Sequence, residues 1–301
     1  MHFDGWIAVA GLVVGFTVGL TGMGGGALMT PILVLVFGVN PLTAVSSDVV
    51  ASLVMKPVAG SVHLRRGTVN TRLVRILCVG SVPSAFCGVL LLRALGGGKD
   101  LQDRVQLLLG VALLLAAVSI LVKGIISRGG RTAKVADAND IEVRTLPTVL
   151  IGVVGGLVVG MTSVGSGSLM IVLLLFLYPT LQSGQLVGTD LVQAIPLVAS
   201  AALGHLLFGD FKLALTTSLL VGAVPGAYVG ARTSARAPDG VIRPALLFVL
   251  TASALKLLDL STAALAWSLG AVLVVGLAWL AARRAGRSRA QRVAPSAGPQ
   301  R

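Results

Sequence analysis

The sequence is short of charged residues. Only 12% of its 301 residues are charged, 55% are hydrophobic and the mean hydropathy is +0.94, whereas a soluble domain is about one quarter charged. Several blocks of about 18 residues or more carry almost no charge, which is typical of transmembrane helices. The composition therefore excludes an ordinary soluble domain. Because no short alternating strands are visible either, we predict an all-α polytopic membrane protein rather than a β-barrel.

Acidic residues and cysteines are also scarce. Eleven acids against 24 lysines and arginines give a net charge of +13, but no aromatic residues interleave with the basic ones, so no nucleic acid partner is expected. The two cysteines, Cys78 and Cys87, lie nine residues apart on one predicted helix and point to opposite faces. We predict that they are buried thiols that do not pair with each other.

Nine apolar blocks divide the chain, and the first and fifth are longer than all of the others. Their approximate ranges are 6–37, 42–64, 73–95, 105–126, 147–177, 186–208, 213–231, 241–258 and 262–282. We predict a first transmembrane repeat over 1–126, a cytoplasmic linker over 127–146, a second repeat with a final helix over 147–282, and a basic tail over 283–301. The tail contains no acidic residue, and its composition predicts disorder.

The two halves of the chain resemble each other in sequence. The stretch GFTVGLTGMGGGALM (15–29) aligns with GLVVGMTSVGSGSLM (156–170), and eight of the fifteen positions are identical. With one extra residue the register continues, so that Asp48 aligns with Asp190, and a histidine, a proline and several glycines keep the same register. This is an internal duplication.

The basic residues indicate how the chain crosses the membrane. Eighteen of the 24 lie in four clusters, at 65–75, 123–144, 232–243 and 283–301, and loops rich in Lys and Arg face the cytoplasm. With the N-terminus outside, the second block must run from outside to inside, so the first block begins and ends outside. The fifth block begins and ends inside by the same parity. We therefore predict two inverted-topology repeats in the cell (plasma) membrane, the inner membrane of a bacterium, with a cytoplasmic C-terminus.

Glycines interrupt both long blocks at equivalent positions. As a continuous helix the first block would be about 48 Å long, which is too short for two full spans of about 20 residues each. We predict a Gly-rich re-entrant or broken helix pair in each half, with the glycines at its tip. Glycine permits the non-helical backbone of such a tip, and N–H groups at the start of a half-helix favour an anion. Close packing of helices through small residues is the alternative explanation.

The stretch GLTGMGGGALMTP, its echo GMTSVGSGSLM and the duplicated helices resemble the sulfite exporter TauE/SafE family of integral membrane permeases. The resemblance covers about residues 10–260, although serines replace two glycines and an alanine in the second motif, at positions 163, 166 and 168. The resemblance implies transport of small sulfur-containing anions such as sulfite or organosulfonates.

We therefore expect a secondary transporter, acting as an exporter, that moves a small anion by alternating access between the two repeats. The expected partners are this anion and the lipid bilayer, and assembly into a homo-oligomer is left open. No cofactor or metal is expected. An anion channel, or a permease for an unrelated small anion, is the alternative. The sequence shows no nucleophile–base pair or metal-ligand cluster at membrane depth, so we do not expect an enzyme.

Lys56 is the strongest single candidate for the binding site. A charge in the middle of a membrane block costs about 3 kcal/mol or more and usually faces a pathway or a partner. Snorkelling of its side chain to the cytoplasmic face is the alternative. With the two tips, the candidate substrate-binding residues are Thr21, Gly22, Gly24, Gly25, Gly26, Lys56, Thr162, Ser163, Gly165, Ser166 and Gly167.

Asp48 and Asp190 are candidates for coupling transport to protons. Each lies about two turns into its block, and each could instead be a first-turn acid stabilised by the helix dipole. His63 and His205 lie at the ends of the second and sixth blocks, and we predict that they are interfacial residues near opposite membrane faces.

Overall fold

A computed structural model of the chain describes residues 4–21, 25–65, 67, 69–96, 98–126, 142–181, 183–233 and 239–259. The regular structure of these residues is built from α-helices. They are α1 (Gly5–Thr21), α2 (Gly26–Leu35), α3 (Pro41–Arg65), α4 (Thr71–Ala94), α5 (Gly98–Ile126), α6 (Thr145–Thr162), α7 (Leu169–Leu177), α8 (Ser183–Phe208), α9 (Leu213–Thr233) and α10 (Asp239–Leu257).

Six of these helices are long and apolar enough to cross a membrane. They lie within α3, α4, α5, α6, α8 and α9. Helix α3 is the most deeply placed of the six, since 67% of its most apolar stretch is buried inside the protein. The structure thus confirms an all-α, multi-pass membrane protein.

The two long blocks are each broken into a longer and a shorter helix. The first block forms α1 with 17 residues and α2 with 10, and the fifth forms α6 with 18 residues and α7 with 9. The breaks fall at the two glycine-bearing motifs, as the sequence predicts. The ninth block, most of the linker and the whole tail lie outside the described residues, and α5 begins seven residues before its predicted block.

Helices of one half pack mainly against helices of the other half. Helix α1 lies against α9, α6 lies against α4, α3 lies against α8, and α5 lies against α10. Each pairing has a counterpart when α1–α5 are exchanged for α6–α10, which agrees with the duplication. The two halves therefore share one core. Their opposite orientation in the bilayer stays a prediction.

Stripes of small residues allow two of these helix pairs to approach closely. On α1, Gly11, Gly15 and Gly19 face α9, and a Cβ atom on Gly15 would lie only 2.2 Å from the carbonyl oxygen of Ala223. Any side chain larger than hydrogen would push the helices apart. In membranes, where lipid is as apolar as leucine, such close backbone contact is a main source of helix association.

The equivalent stripe on α6 packs against α4 in the same way. Gly152, Gly156 and Gly160 are spaced by four residues, and a Cβ atom on Gly160 would lie 2.1 Å from the carbonyl oxygen of Ala85. Small-residue packing therefore explains many glycines of this chain, but at positions outside the tips.

The start of one helix in each half is anchored to the other half by equivalent hydrogen bonds. Before α4, the Asn70 backbone N–H donates to Thr189 Oγ1 on α8 at 3.1 Å. Before α9, the Lys212 backbone N–H donates to Ser47 Oγ on α3 at 3.5 Å. In the aligned halves, Asn70 corresponds to Lys212 and Ser47 corresponds to Thr189, so these contacts also follow the repeat.

The prediction of two buried thiols is wrong for Cys87. Both cysteines are free, but Cys87 is exposed on the outer surface of the helix bundle and Cys78 is partly exposed. Helix α4 buries a different face, which includes Leu77 and Ala85, against α6 and α8. An exposed position on an apolar helix of a membrane protein costs little because it can contact lipid.

Candidate functional site

Three polar residues form one line along the buried face of α3. Asp48, Ser52 and Lys56 are spaced by four residues, which places them on the same side of a helix. Their exposed fractions are 0%, 2% and 3%. A helix that carries a carboxylate, a hydroxyl and an ammonium group in the protein interior needs partners for them from neighbouring elements.

The first of these partners comes from the broken pair α1–α2. Thr30, on α2, donates a hydrogen bond from its hydroxyl to Asp48 Oδ2 at 3.2 Å. Gly25 lies beside the same line, since a Cβ atom added there would be 3.4 Å from Ser52 Oγ and 3.6 Å from Asp48 Oδ1. Gly22 and Gly24 lie outside the described residues.

The second set of partners comes from the segment 163–168 between α6 and α7, which we call the second tip. Ser163 donates from its hydroxyl to Asp48 Oδ2 at 2.6 Å. Lys56 Nζ donates to Ser166 Oγ at 2.5 Å. Both bonds join α3, in the first half of the chain, to the second half.

The backbone of the second tip is held in conformations that favour glycine. Gly165 and Gly167 have φ angles of 129° and 85°, and Ser163 has a φ angle of 59°. Positive φ is accessible to glycine without penalty but is unusual for serine. The turn thereby directs the hydroxyl groups of Ser163 and Ser166 toward α3.

The two tips touch each other directly. A Cβ atom on Gly26 would lie 1.9 Å from the carbonyl oxygen of Ser163, so only glycine fits there. The described part of the first tip consists of Gly25 and Gly26. The first tip thus supplies space, whereas the second tip supplies hydroxyl groups. The serines in the second motif make the two tips chemically different.

The second carboxylate of the site, Asp190, lies on α8. It is 1% exposed, and both Asp190 and Asp48 are near enough to Lys56 to interact with its charge. Gln193, one turn further along α8, donates from Nε2 to Asp190 Oδ1 at 3.4 Å and accepts a hydrogen bond from Ser81 at 3.1 Å. We call Asp48, Ser52, Lys56, Asp190 and the two tips the central site.

Neither carboxylate is a first-turn acid. Helix α3 begins at Pro41 and α8 at Ser183, so Asp48 and Asp190 both lie two turns inside their helices. Their positions therefore favour a role in the central site over stabilisation of a helix end.

The position of Lys56 does not agree with snorkelling. Its ammonium group is bonded to a buried serine, and the residue is almost completely enclosed. Among the described residues, Ser166 is the hydrogen-bond partner of this ammonium group. An ammonium group carries three N–H donors, so Lys56 can donate to a ligand as well.

Three polar atoms of the central site have no hydrogen-bond partner among the described residues. They are Asp48 Oδ1, Ser52 Oγ and, in the second tip, Ser168 Oγ. Buried polar atoms are nearly always paired in folded proteins. Unpaired polar atoms in the same two elements that hold Lys56, α3 and the second tip, are typical of a site that binds a polar ligand.

Two threonines predicted to bind substrate are occupied elsewhere. Thr21 donates from its hydroxyl to the Thr17 carbonyl at 2.7 Å, and Thr162 donates to the Val158 carbonyl at 2.6 Å. This is the common behaviour of threonine in membrane helices. Of the hydroxyl-bearing residues predicted at the tips, Ser163 and Ser166 are the ones that reach α3.

His205 is fully buried inside the helix bundle, and its depth in the membrane stays a prediction. Its Nε2 lies 2.8 Å from the Gly160 carbonyl oxygen and its Nδ1 lies 3.0 Å from Ser46 Oγ. Because a carbonyl only accepts, Nε2 carries the proton, and a neutral ring accepts from Ser46 at Nδ1. His205 therefore joins α3, α6 and α8. His63 is also buried, with 6% of its surface exposed.

Comparison with known proteins gives the family of the chain. A family model described as sulfite exporter TauE/SafE matches residues 7–257. The chain belongs to the TauE/SafE family. The match covers all of the described helices except the first two residues of α1, and therefore includes both tips and the central site. No solved structure matches the chain.

Curated relatives of this TauE/SafE protein are named as transporters. It is 36% identical to "Probable membrane transporter protein YjnA" of Bacillus subtilis. This alignment spans 253 residues and covers 84% of this chain and 98% of the relative. It is 25% identical over 248 residues to "Probable membrane transporter protein YdhB" of the same organism, covering 82% of this chain and 96% of the relative. A Xylella fastidiosa protein with the name "Probable membrane transporter protein" is 28% identical over 231 residues, 75% of this chain and 83% of its own length. The protein is a membrane transporter.

Sequence reasoning missed several residues of the TauE/SafE central site. Ser52 lies midway between Asp48 and Lys56, and this four-residue spacing was a signal that could have identified it. Thr30 and Gln193 could have been noticed as polar residues inside apolar blocks. Their partners, however, are set by tertiary contacts between helices that are distant in sequence.

Proposed function

We propose that this protein is a secondary transporter, working as an exporter, for small sulfur-containing anions such as sulfite or organosulfonates. The observation that supports the proposal most strongly is the buried ammonium group of Lys56, held at the second tip beside unpaired hydroxyl groups. A sulfite or sulfonate group carries several acceptor oxygens around one sulfur. Such a group suits an ammonium donor surrounded by hydroxyls.

The helices next to the tips add to the attraction for an anion. Helix α2 begins at Gly26 and α7 begins at Leu169, so the positive ends of both short helices lie at the tips. Half-helix N-termini that point at an anionic substrate group are a recurring feature of secondary transporters. Family membership supports the sulfur-containing class of anion.

We infer that transport occurs by alternating access between the two halves. The tips come from opposite halves, and they meet at Gly26 and Ser163 with no room for a side chain. A solute at the central site would be released when the two halves rock and the tips separate. Under this proposal the protein lies in the plasma membrane with its N-terminus outside and its C-terminus in the cytoplasm.

The test is flux of radiolabelled sulfite and organosulfonates in proteoliposomes. The wild type should show slow, saturable flux, and Lys56→Ala should lose it because the site loses its cation. The matched control is Lys212→Ala, which removes an exposed lysine and should leave the flux unchanged. Wild-type flux by Lys56→Ala for every tested anion would contradict the proposed site.

The same vesicles distinguish a transporter from a channel. Unitary currents in a planar bilayer would support an anion channel, whereas saturable flux without such currents supports a carrier. A transporter that accepts only anions without sulfur would show that the substrate class is wrong while leaving the carrier mechanism in place.

A further inference from the structure

The central site contains more negative than positive charge. Within the described residues, the charged groups that interact there are one ammonium, on Lys56, and two carboxylates, on Asp48 and Asp190. With all three ionised they sum to a single negative charge. Such a site repels an anion, and in a low-dielectric interior this repulsion is strong. An anionic substrate therefore needs one of the carboxylates to be neutral when it binds.

The two oxygens of Asp48 have different surroundings. Oδ2 accepts hydrogen bonds from Thr30 and from Ser163. Oδ1 is buried and has no partner within the described residues, and neither has Ser52 Oγ. Asp48 and Ser52 are one turn apart on the same face of α3, and both lie within 3.6 Å of the position that a Cβ atom on Gly25 would occupy.

This arrangement suits a protonated carboxyl group at Asp48. In the ionised state Oδ1 is a buried carboxylate oxygen with no donor among the described residues, which is costly. A proton on Oδ1 removes this charge, and Oδ2 keeps both of its hydrogen bonds.

We propose that Asp48 binds one proton together with each substrate anion, so that the protein moves the two in the same direction. The inference rests on the proposed anion transport at Lys56. An anion next to Lys56 offsets the positive charge that favours the ionised form of Asp48, and protonation of Asp48 removes the negative charge that opposes the anion. Each ligand therefore favours binding of the other.

Among the described residues around Asp48, the charged group that acts on its carboxylate is Lys56. The groups that reach it from α2 and from the second tip are the hydroxyls of Thr30 and Ser163. From α8, Asp190 acts on Lys56. From the segment before α9, Asp210 accepts a hydrogen bond from Thr43, and its backbone N–H donates to Ser46. These two residues lie five and two positions before Asp48 on α3.

Asp190 is the repeat counterpart of Asp48, but its surroundings differ. Gln193, at the position equivalent to Ala51, donates to Asp190 Oδ1 at 3.4 Å. Within the described residues, the buried carboxylate oxygen without a partner is Oδ1 of Asp48 and not an oxygen of Asp190. The unpaired oxygen therefore distinguishes Asp48 from its counterpart.

The proton balance of the cycle is simple. One proton enters from the side on which the anion binds, forms an O–H bond at Asp48 Oδ1, and leaves on the opposite side when that bond breaks. Lys56 keeps its charge throughout. For a singly charged sulfonate the moved pair is neutral, so the direction of transport follows the combined gradients of anion and proton. The anion would leave the cell when its outward concentration gradient exceeds the inward gradient of protons.

The experiment uses proteoliposomes that contain a trapped pH-sensitive dye, with 2-hydroxyethanesulfonate as the substrate. This anion does not take up protons near neutral pH, unlike sulfite. The wild type should acidify the lumen by one proton for each anion taken up. Its affinity for the anion should fall about tenfold per pH unit at pH values where free Asp48 has lost its proton.

Asp48→Asn, which resembles the protonated residue, should bind the sulfonate with no dependence on pH and should still exchange labelled for unlabelled anion. It should not acidify the lumen. The control is Asp103→Asn, which removes an exposed carboxylate outside the central site and should keep the proton movement. Anion uptake by the wild type without acidification would overturn the inference, and this result does not depend on whether any variant folds. Continued acidification by Asp48→Asn would overturn it as well.

Failure of the inference can be told apart from failure of the proposed function. If the wild type binds and transports no sulfonate or sulfite, the proposed function is wrong. If it transports the anion in a Lys56-dependent manner but moves no protons, only the coupling at Asp48 is wrong.

Discussion

Replacing Gly26 by alanine would add one methyl group at the point where the two tips meet. The new Cβ atom would lie 1.9 Å from the carbonyl oxygen of Ser163, 2.4 Å from its carbonyl carbon and 2.7 Å from its Oγ. An ordinary van der Waals contact begins at 3.4 Å. Because two of these three atoms are backbone, the tips would have to separate by about 1.5 Å.

A separation of this size would also break the polar contacts of the central site. The bonds from Ser163 to Asp48 at 2.6 Å and from Lys56 to Ser166 at 2.5 Å both cross between the halves. Lengthened by about 1.5 Å they would measure about 4 Å, which is beyond hydrogen-bonding distance. A hydrogen bond to a charged group contributes about 1.5 to 3 kcal/mol, and overpacking alone costs about 1 to 3 kcal/mol.

The tips can stay together under steric strain, or they can separate and lose the hydrogen bonds. The costs of overpacking and of lost hydrogen bonds therefore do not simply add. We expect Gly26→Ala to lower the free energy of unfolding by about 2 to 4 kcal/mol. For a chain of this size that corresponds to a melting temperature lower by about 10 °C. Transport should be lost as well, since Lys56 and Asp48 lose their positions.

The assay is thermal unfolding of the purified protein in detergent, followed by intrinsic fluorescence. Two alanine variants serve as controls. At Gly184 nothing lies within 4 Å of an added Cβ atom, and at Gly25 the nearest atom is the flexible Met55 Cε at 3.2 Å. Both should melt within a few degrees of the wild type. If Gly26→Ala melted with them and kept transport, the reasoning about tip contact would be refuted.

Three further predictions concern the packing of α1 against α9, the role of Ser163 and the membrane topology. Gly222→Ala places a Cβ atom 1.8 Å from the Ala8 carbonyl oxygen and should destabilise the α1–α9 pair by about 2 kcal/mol, measured as a lower melting temperature; an unchanged value would contradict close packing there. Ser163→Ala loses the donor to Asp48 and keeps a positive φ, so it should melt lower than Ser163→Gly, which relieves that strain; the reverse order would contradict it. Single cysteines at residues 4 and 40 in cysteine-free protein should react with an impermeant maleimide from the same side of the membrane, and labelling from opposite sides would contradict the inverted arrangement.

The architecture could be predicted from the sequence because apolar length and repetition are local signals. The first eight blocks correspond to described helices, and the two long blocks are broken at the aligned glycine motifs. The parity of basic clusters predicts the orientation, which remains to be tested. Cys87 was misjudged because the buried face of α4 is chosen by α6 and α8, and no residue near Cys87 in sequence reveals this.

The central site could be predicted only in part. Lys56 was found because an ammonium group at membrane depth is costly and therefore informative wherever it occurs. Thr21 and Thr162 were included for their position near the tips, but their hydroxyls bond back to their own helices. The difference between Asp48 and Asp190, which are aligned in the repeat, depends on which groups surround each of them.

The sequence by itself determined that this chain is a duplicated bundle of apolar helices with a glycine break in each half, because hydropathy, spacing and repetition are properties of neighbouring residues. Only the tertiary structure decided that α3 lies at the centre, that the second tip bonds both Asp48 and Lys56, and that Gly26 rests against Ser163. These contacts join residues more than 100 positions apart. Their geometry follows from how closely glycine-bearing backbones can approach, which no local pattern specifies.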